Sequence, residues 1–378
     1  WNNMLQEVAE SRHMDATRLN TLADTQTAFS TPGMSLNNGL VDALCYMDQV
    51  KTILQNKCGL DEDDELTFAS ITDVAKSETL DEKVDKQVAV YYAYGEIVQA
   101  PATGLGQTAP QIVGTKMIDD LQKLRQDDDV KAVVIRVNSP GGSAFASEQI
   151  WREVCLLKEK KPVIISMGGL AASGGYYISA PADAIVANNL TITGSIGVFG
   201  IMLEGGDMLR NKLGITYDTV KTNPSADFGA GVLGMSLRKP TAAERATLIK
   251  SVDKVYEAFT SKVAAGRNLE LQRVLEIAEG RVWSGTDAVK IGLADANGGI
   301  ITAIGIAADK AGIADNFRIE EVLPELDPMT AFLQSLNAQV KYATMDNDLK
   351  ALCNDYQTLK NDILRSGVQT YCPYRVWF

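Results

Sequence analysis

Two glycine-rich segments, 139-SPGG-142 and 168-GGLAASGG-175, carry the residues of this sequence best suited to catalysis. Ser173 is flanked by small residues, so its hydroxyl is uncrowded, and a helix that begins there would stabilise developing negative charge through its N-terminal dipole. The backbone N–H groups of Gly142 and Gly174 could together hold an oxyanion beside it. Each segment alone is compatible with a simple turn or helix cap. Together they predict a nucleophilic acyl-transfer site.

The base that would activate Ser173 is not evident in the sequence. The single histidine, His13, occupies an exposed position of an amphipathic helix, which argues against a Ser-His-Asp triad. A lysine whose pKa is lowered by burial is the remaining standard base for a serine. Ser195, in 193-TGSIGVFG-200, is either structural or orients such a lysine, and the residues leave both readings open.

Composition and charge exclude several other functions. The chain has 378 residues and a net charge of −12, which argues against nucleic-acid binding because phosphate neutralisation needs clustered Lys and Arg. The five cysteines are widely spaced and form no CxxC motif, and neither a metal nor an organic cofactor is expected. No apolar stretch reaches the ~18 residues that a membrane span needs.

Alternating strand and helix patterns position both glycine-rich segments. Apolar runs at 130–138, 162–169 and 184–188 predict buried strands separated by amphipathic helices, which indicates a largely parallel sheet with right-handed crossovers. Residues 318–322 predict a further strand, and the apolar spacing over 332–364 predicts amphipathic helices for packing. Functional loops of parallel sheets follow the carboxyl ends of strands, where both glycine-rich segments fall.

An internal repeat is predicted by residues 1–24, which match 256–279 at an offset of 255. The matched pairs include Val8 with Val263, Ala9 with Ala264, Arg12 with Arg267 and Ala23 with Ala278. The motif GLVDA at 39–43 is echoed by GLADA at 292–296. We therefore expect three regions: 1–85, the tail of a first copy with a connector; 86–300, a second copy with the catalytic site; and 301–378, a C-terminal α/β and helical extension.

A series of motifs resembles the signal peptide peptidase A (protease IV) family in its long, duplicated form. The motifs are NSPGG (138–142), GGLAASGGYYIS (168–179), ADAIVAN (182–188), LTITGSIGVFG (190–200) and GRVWSGTDAVKIGLAD (280–295). The resemblance fades after about residue 305. It implies a ClpP/crotonase-like α/β fold, internally duplicated, with the first copy truncated in this chain. It also implies ring-like homo-oligomers on the periplasmic side of the bacterial inner membrane, held by an upstream anchor, that degrade cleaved signal peptides through a Ser/Lys dyad.

The same resemblance assigns roles to individual residues. Ser173 corresponds to the nucleophile, and the N–H groups of Gly142 and Gly174 correspond to the oxyanion hole. Ser195 corresponds to the hydroxyl that positions the lysine.

The lysine is where this sequence departs from the family pattern. Short members supply it downstream of the serine, at a position that corresponds here to Ala226. Lys221 is nearby but out of register, and we expect it to be solvated. Duplicated members take the lysine from the first copy, which would place it upstream of Trp1.

Two other functions remain open. A crotonase-type acyl-CoA enzyme would use a related backbone oxyanion hole, although such enzymes usually place carboxylates at the reacting carbon. A catalytically incomplete assembly scaffold would explain why the chain has no evident base.

Overall fold

The structure is a computed structural model that describes residues 1–25, 31–61, 63–68, 84–100, 110–232, 235–322 and 368–371. Backbone contacts divide the chain into two units, Trp1–Glu82 and Lys83–Phe378. The described elements of the first unit are four helices: α1 (Asn2–Arg12), α2 (Ala16–Asp24), α3 (Pro32–Asn37) and α4 (Met47–Cys58).

Local capping explains how the first unit begins and ends its helices. The Asp15 side chain accepts a hydrogen bond from the Arg18 N–H and so caps the start of α2. His13 ends α1 in the left-handed conformation, with φ of 52°, and its side chain is exposed. The histidine is therefore a surface helix cap.

The second unit alternates strands and helices. Its described strands are β1 (Gln87–Tyr94), β2 (Glu96–Val98), β3 (Gln111–Val113), β4 (Val130–Ser139), β5 (Gly141–Ser143), β6 (Val163–Ala172), β7 (Ala184–Ala187), β8 (Ile192–Gly194), β9 (Phe199–Gly200), β10 (Leu203–Glu204), β11 (Gly231–Val232), β12 (Met235–Ser236), β13 (Val282–Ser284), β14 (Ala296–Asn297), β15 (Arg318–Val322) and β16 (Val368–Tyr371). Its described helices are α5 (Gly114–Gln126), α6 (Ala144–Lys158), α7 (Gly174–Ser179), α8 (Gly206–Leu213), α9 (Ala242–Arg267), α10 (Leu271–Ile277), α11 (Gly285–Lys290) and α12 (Ile300–Ala311).

The main sheet has the strand order β13-β8-β6-β4-β1-β15, with β7 beside β6 and β14 beside β7. Every pairing in it is parallel except that of β13 with β8. The predicted α/β architecture with a mostly parallel central sheet is confirmed.

Helices cover both faces of this sheet, because successive side chains of a strand point to opposite faces. Val133 and Ile135 of β4 face a core built with α5, α6, α7 and α9. Ala132 and Val134 of the same strand face a second core built with α12. All four side chains are fully buried, and burying one Val or Ile stabilises the fold by about 1.5–3 kcal/mol. The two cores hold the strand ends, and with them the glycine-rich segments, in fixed positions.

Residues 301–322 belong to the second unit. Helix α12 buries Ala303 and Ala307 against the main sheet, and β15 pairs in parallel with β1. The strand predicted at 318–322 is β15. The helices predicted over 332–364 lie outside the described residues.

Two smaller sheets complete the second unit. One has the order β3-β2-β5-β16-β9, and the other the order β10-β12-β11. The smaller of these is tied to the start of α9 by Arg238, whose guanidinium lies 2.8 Å from carboxylate oxygens of both Asp227 and Glu244. The adjacent Arg238 side chain holds the pKa of both carboxyl groups well below their ordinary range.

Candidate active site

The first glycine-rich segment leaves the main sheet at the end of β4. The register of β4 with β6 shifts after Val137, so that Ser139 lies opposite Ala171. Ser139 is fully buried, and its Oγ accepts a hydrogen bond of 3.1 Å from the N–H of Gly141. This bond turns the chain out of the main sheet and into β5.

Gly142 is the one position of this segment that needs glycine for two reasons. Its φ is 150°, and a β-carbon built on it would lie 2.1 Å from the carbonyl oxygen of Ile97 in β2. The strands β2 and β5 pair in parallel at these two residues. A side chain at position 142 would therefore separate β5 from β2.

Ser173 occupies a strained turn between β6 and α7. Its N–H donates a 2.9 Å hydrogen bond to the carbonyl of Gly194, and its own carbonyl accepts one of 2.8 Å from Tyr177 in the first helical turn. These bonds hold a non-glycine residue at φ 54° and ψ −117°. Such a backbone costs about 1–3 kcal/mol and persists only where the surroundings enforce it.

The Ser173 side chain is fully buried, and its Oγ has no hydrogen-bond partner among the residues that the structure describes. A buried hydroxyl in that state costs about 1–3 kcal/mol. Next to it, Gly174 is the first residue of α7, where a backbone N–H has no acceptor within the helix. The turn therefore combines an unpartnered hydroxyl with the positive end of a helix.

The two glycine-rich segments meet at this turn. A β-carbon on Gly175 would lie 2.9 Å from the carbonyl oxygen of Ser139 and 3.2 Å from its Cβ. Helix α7 also contacts β5, which contains Gly142. The structure thus brings together the two segments that contain Ser173, Gly142 and Gly174.

Ser195 lies beside Ser173 at the end of the neighbouring strand. The pairing of β6 with β8 ends at Ala172 opposite Gly194, so the two serines follow paired residues. Ser195 is 2% exposed, has a φ of 48°, and donates its N–H to the carbonyl of Arg281 at 2.8 Å. This backbone hydrogen bond holds Ser195 next to the turn that contains Ser173.

Lys221, which was expected to be solvated, is bound to a carboxylate. Lys221 donates a 3.2 Å hydrogen bond to the Asp227 carboxylate, and 39% of its side chain is exposed. Ala226 lies in the same turn and donates its N–H to the carbonyl of Asn223. Within the described ranges, no lysine forms a hydrogen bond with Ser173 Oγ.

A polar cluster beneath α7 was not foreseen from the sequence. Tyr177 OH donates a 2.5 Å hydrogen bond to Glu148, whose two carboxylate oxygens each lie 2.7 Å from Lys262 Nζ. Lys262 also lies 4.3 Å from the ring centroid of Trp151. Burial and the bond to Glu148 raise the pKa of Tyr177 above its ordinary range, so the phenol stays protonated. The only feature of the sequence that could have pointed to this cluster is the position of Tyr177, one helical turn after Ser173.

Comparison with known proteins shows that this chain is similar to peptidases. Residues 156–314 match Peptidase family S49, and residues 85–187 match Clp protease. The chloroplastic serine protease SPPA of Arabidopsis thaliana is 36% identical over 325 residues, covering 84% of this chain and 46% of that protein. Protease 4 of Salmonella typhi is 32% identical over 368 residues, covering 94% and 57%. A putative protease of Synechocystis sp. is 33% identical over 231 residues, covering 60% and 79%.

The parallel sheet and the match to Clp protease define a ClpP-like fold. In this chain the buried Ser173 directly follows the strand β6. The chain belongs to peptidase family S49. It spans about half the length of its plant and Salmonella relatives. Among the described helices, none is both long enough and apolar enough to cross a membrane.

Proposed function

We propose that this chain carries the nucleophile part of a serine peptidase site, with Ser173 as the nucleophile. The observation that carries the proposal is the Ser173 hydroxyl, which is buried, unpartnered among the described residues and held on a strained backbone beside the first turn of α7. A protein retains an unsatisfied and strained group at a cost in stability, and such groups cluster at active sites.

The mechanism follows from the neighbours of Ser173. A neutral lysine amine accepts the hydroxyl proton as Ser173 Oγ attacks the carbonyl carbon of a peptide bond. The oxyanion accepts hydrogen bonds from the N–H groups of Gly142 and Gly174. The carbon–nitrogen bond then breaks, and the leaving amine takes the proton from the lysine. Water attacks the resulting serine ester, the lysine again relays the proton, and the acid product leaves.

The lysine is proposed to come from another copy of the catalytic fold, as the resemblance to duplicated family members implies. Two observations support a source outside the second unit's own helices and strands. Lys221 is held by Asp227, and no described lysine reaches Ser173 Oγ. Ser195 is proposed to orient that lysine through its hydroxyl, since its backbone is fixed beside Ser173.

Apolar, extended peptides, including cleaved signal peptides, are the proposed substrates. An apolar groove of about 340 Å³ runs beside β9 in the second unit. It is lined by the apolar residues Ile201, Met202, Leu248, Ile249 and Val252, together with Gly200, Arg245 and Asp253. Ile201 and Ile249 are more than half exposed, so this groove offers apolar surface to a ligand.

Assembly and location are proposed from the family resemblance alone. A ring-like homo-oligomer on the periplasmic side of the bacterial inner membrane would bring several sites together. Light scattering of the full-length protein in detergent tests the oligomeric state. A monomer at micromolar concentration would contradict the proposed ring.

Peptide hydrolysis by the full-length protein tests the proposed activity. Wild type should cleave an apolar peptide of ten or so residues, and Ser173→Ala should lower kcat by a factor of about 10⁴ or more. Ser179→Ala is the matched control, because Ser179 is equally buried at the end of α7 but its hydroxyl donates a hydrogen bond to the carbonyl of Gly175. Turnover of an acyl-CoA thioester instead would favour the crotonase-type enzyme, and no turnover of either would favour the scaffold.

A further inference from the structure

Strand β6 changes its neighbour just before the chain reaches Ser173. Its first part pairs with β7 as far as Met167, which lies opposite Ala187. Its last part, residues 170–172, pairs with β8 instead. On its other edge β6 stays beside β4, but the register shifts between the two parts. The segment between these pairings therefore determines where the turn that contains Ser173 begins.

The register shift with β4 is a β-bulge in β6. The pairing passes from Val137 opposite Met167 to Ser139 opposite Ala171, so three residues of β6 face one residue of β4. A bulge interrupts the ladder and leaves backbone N–H and C=O groups that the two strands no longer pair. Met167 and Ala171 are fully buried, so groups between them need partners within the protein.

Two buried threonines on the β8 side form hydrogen bonds with carbonyl groups of this bulge and of the residue after it. Thr193 Oγ1 donates to the carbonyl of Ala171 at 2.7 Å. Thr191 Oγ1 donates to the carbonyl of Gly168, also at 2.7 Å. Both threonines are at most 1% exposed, so these bonds lie away from competing water. The two hydroxyl groups fix the end of β6 against β8.

Asn138 contacts the same bulge from the β4 side. Its Oδ1 accepts a 3.0 Å hydrogen bond from the N–H of Leu170. A β-carbon built on Gly168 would lie 2.9 Å from that oxygen, so the side chain lies directly against the bulge. Asn138 is exposed, and water can replace it as an acceptor. We therefore expect it to contribute less than the threonines.

Thr193 directly precedes the residue that holds the proposed nucleophile. The carbonyl of Gly194 accepts the N–H of Ser173 at 2.9 Å. Ser195 is the next residue along the chain. Since the bond between Thr193 and Ala171 joins the two strands immediately before both serines, it fixes the position of one serine relative to the other.

We infer that Thr193 is a positioning residue, whose hydroxyl fixes the end of β6 against β8 and with it the position of Ser173 relative to Ser195. Thr191 supports the same arrangement from Gly168, earlier in the bulge. The inference rests on the proposed function and deepens it, because Thr193 acts on the reaction only through the two serines. A misplacement of about 1 Å at a reacting group can lower a rate about a hundredfold.

Peptide hydrolysis by variants of the full-length protein tests this role. Thr193→Val removes the hydroxyl and nearly keeps the volume of the side chain. Its kcat for an apolar peptide should fall about tenfold to a hundredfold, with KM within about twofold of the wild type. Thr193→Ser keeps the hydroxyl, so it should restore kcat to within about threefold of the wild type.

Thr260→Val is the matched control. Thr260 is 2% exposed, and its hydroxyl donates to the carbonyl of Tyr256 at 2.9 Å, within α9. This variant loses an equally buried hydroxyl and should leave kcat unchanged, even where its Tm falls. An equal loss of kcat in the two valine variants would contradict the inference. A Thr193→Ser variant as slow as Thr193→Val would contradict it as well.

Hydrogen exchange measures the positioning without any need for catalysis. The amide of Ser173 is bonded to the carbonyl of Gly194, and it should exchange about tenfold faster in Thr193→Val than in the wild type or Thr260→Val. Thr191→Val is a second variant that keeps the test available if Thr193→Val does not fold. It should change exchange and kcat in the same direction, by about threefold or more.

A fluorophosphonate probe separates this inference from the proposed function. Absence of labelling at Ser173 in the wild type would reject the proposed function, while the exchange rate of the Ser173 amide still decides the positioning. Normal labelling of the wild type, with the same exchange rate and the same kcat in Thr193→Val, would reject the positioning role alone.

Discussion

Helices α1 and α9 end in the same hydrogen-bonded arrangement, although they belong to different units. Arg12 at the end of α1 donates from Nε to the carbonyl of Gly39, and Arg267 at the end of α9 donates from Nε to the carbonyl of Gly292, both at 3.1 Å. Each guanidinium also pairs with an aspartate three residues after that glycine. The equivalent residues are Arg12 with Arg267, His13 with Asn268, Gly39 with Gly292 and Asp42 with Asp295.

The two arrangements differ in burial. In the second unit, Phe259 and Val263 of α9 are fully buried in the core, where the Phe259 ring lies 4.6 Å from that of Tyr177 in α7. The residues 255 positions earlier, Met4 and Val8, are 49% and 43% exposed. The helix end and its arginine bonds thus form in both units, whereas the apolar face of the helix is buried at Phe259 and Val263 and exposed at Met4 and Val8.

The largest expected difference concerns the buried aromatic residue. Phe259→Ala should lower the free energy of unfolding by about 3–5 kcal/mol, because it leaves a cavity in the core beside Tyr177. Met4→Ala, at the equivalent exposed position, should change it by less than about 0.5 kcal/mol. Urea denaturation of the two variants measures both. Equal losses would mean that Met4 is buried in solution and that the burial comparison fails.

The arginine pair gives the next largest difference. Arg267 retains only 6% of its side-chain exposure, so Arg267→Met should cost about 1.5–3 kcal/mol by breaking buried, charge-assisted hydrogen bonds. Arg12→Met should cost less, since Asp42 is 88% exposed and solvent replaces the pairing. Raising salt to 1 M should weaken the Arg12 effect and leave the Arg267 effect. Salt sensitivity of equal size in both would contradict the account.

The smallest expected effect is a pH dependence of the exposed pair. The hydrogen bond from Arg12 holds the pKa of Asp42 below its ordinary value. A depressed carboxyl pKa contributes stability above the unfolded-state pKa and loses it as pH falls through the folded-state value. The difference in Tm between wild type and Arg12→Met should therefore shrink as pH is lowered from 7 to 3. If the difference in Tm grew as pH fell, the Arg12–Asp42 pair would not be stabilising at neutral pH, and this prediction would be wrong.

Much of this fold could be predicted because its signals are local or periodic. The buried strands at 130–138 and 162–169 are recognisable as apolar runs, and the helices between them keep one apolar face. The same pattern predicts that Ser173 comes directly after a strand. Because parallel strands end at the same edge of a sheet, it also predicts that the two glycine-rich segments meet.

The remaining features depend on contacts between distant residues. The pairing of β16 with β5 joins residues more than 200 positions apart, and a four-residue strand has no periodicity to detect. The bond from Lys262 to Glu148 spans 114 positions and has no motif of its own. The strained φ of Ser173 is set by Gly194 and Tyr177, so it could not be inferred from the flanking residues.

The most direct test of Ser173 as the nucleophile is to map the covalent adduct of a fluorophosphonate probe. The full-length protein would be labelled, digested and sequenced by tandem mass spectrometry. The account predicts a single adduct on Ser173 Oγ, absent from Ser173→Ala and retained in Ser179→Ala. An adduct on Ser195 or another serine, with Ser173 unmodified, would contradict it.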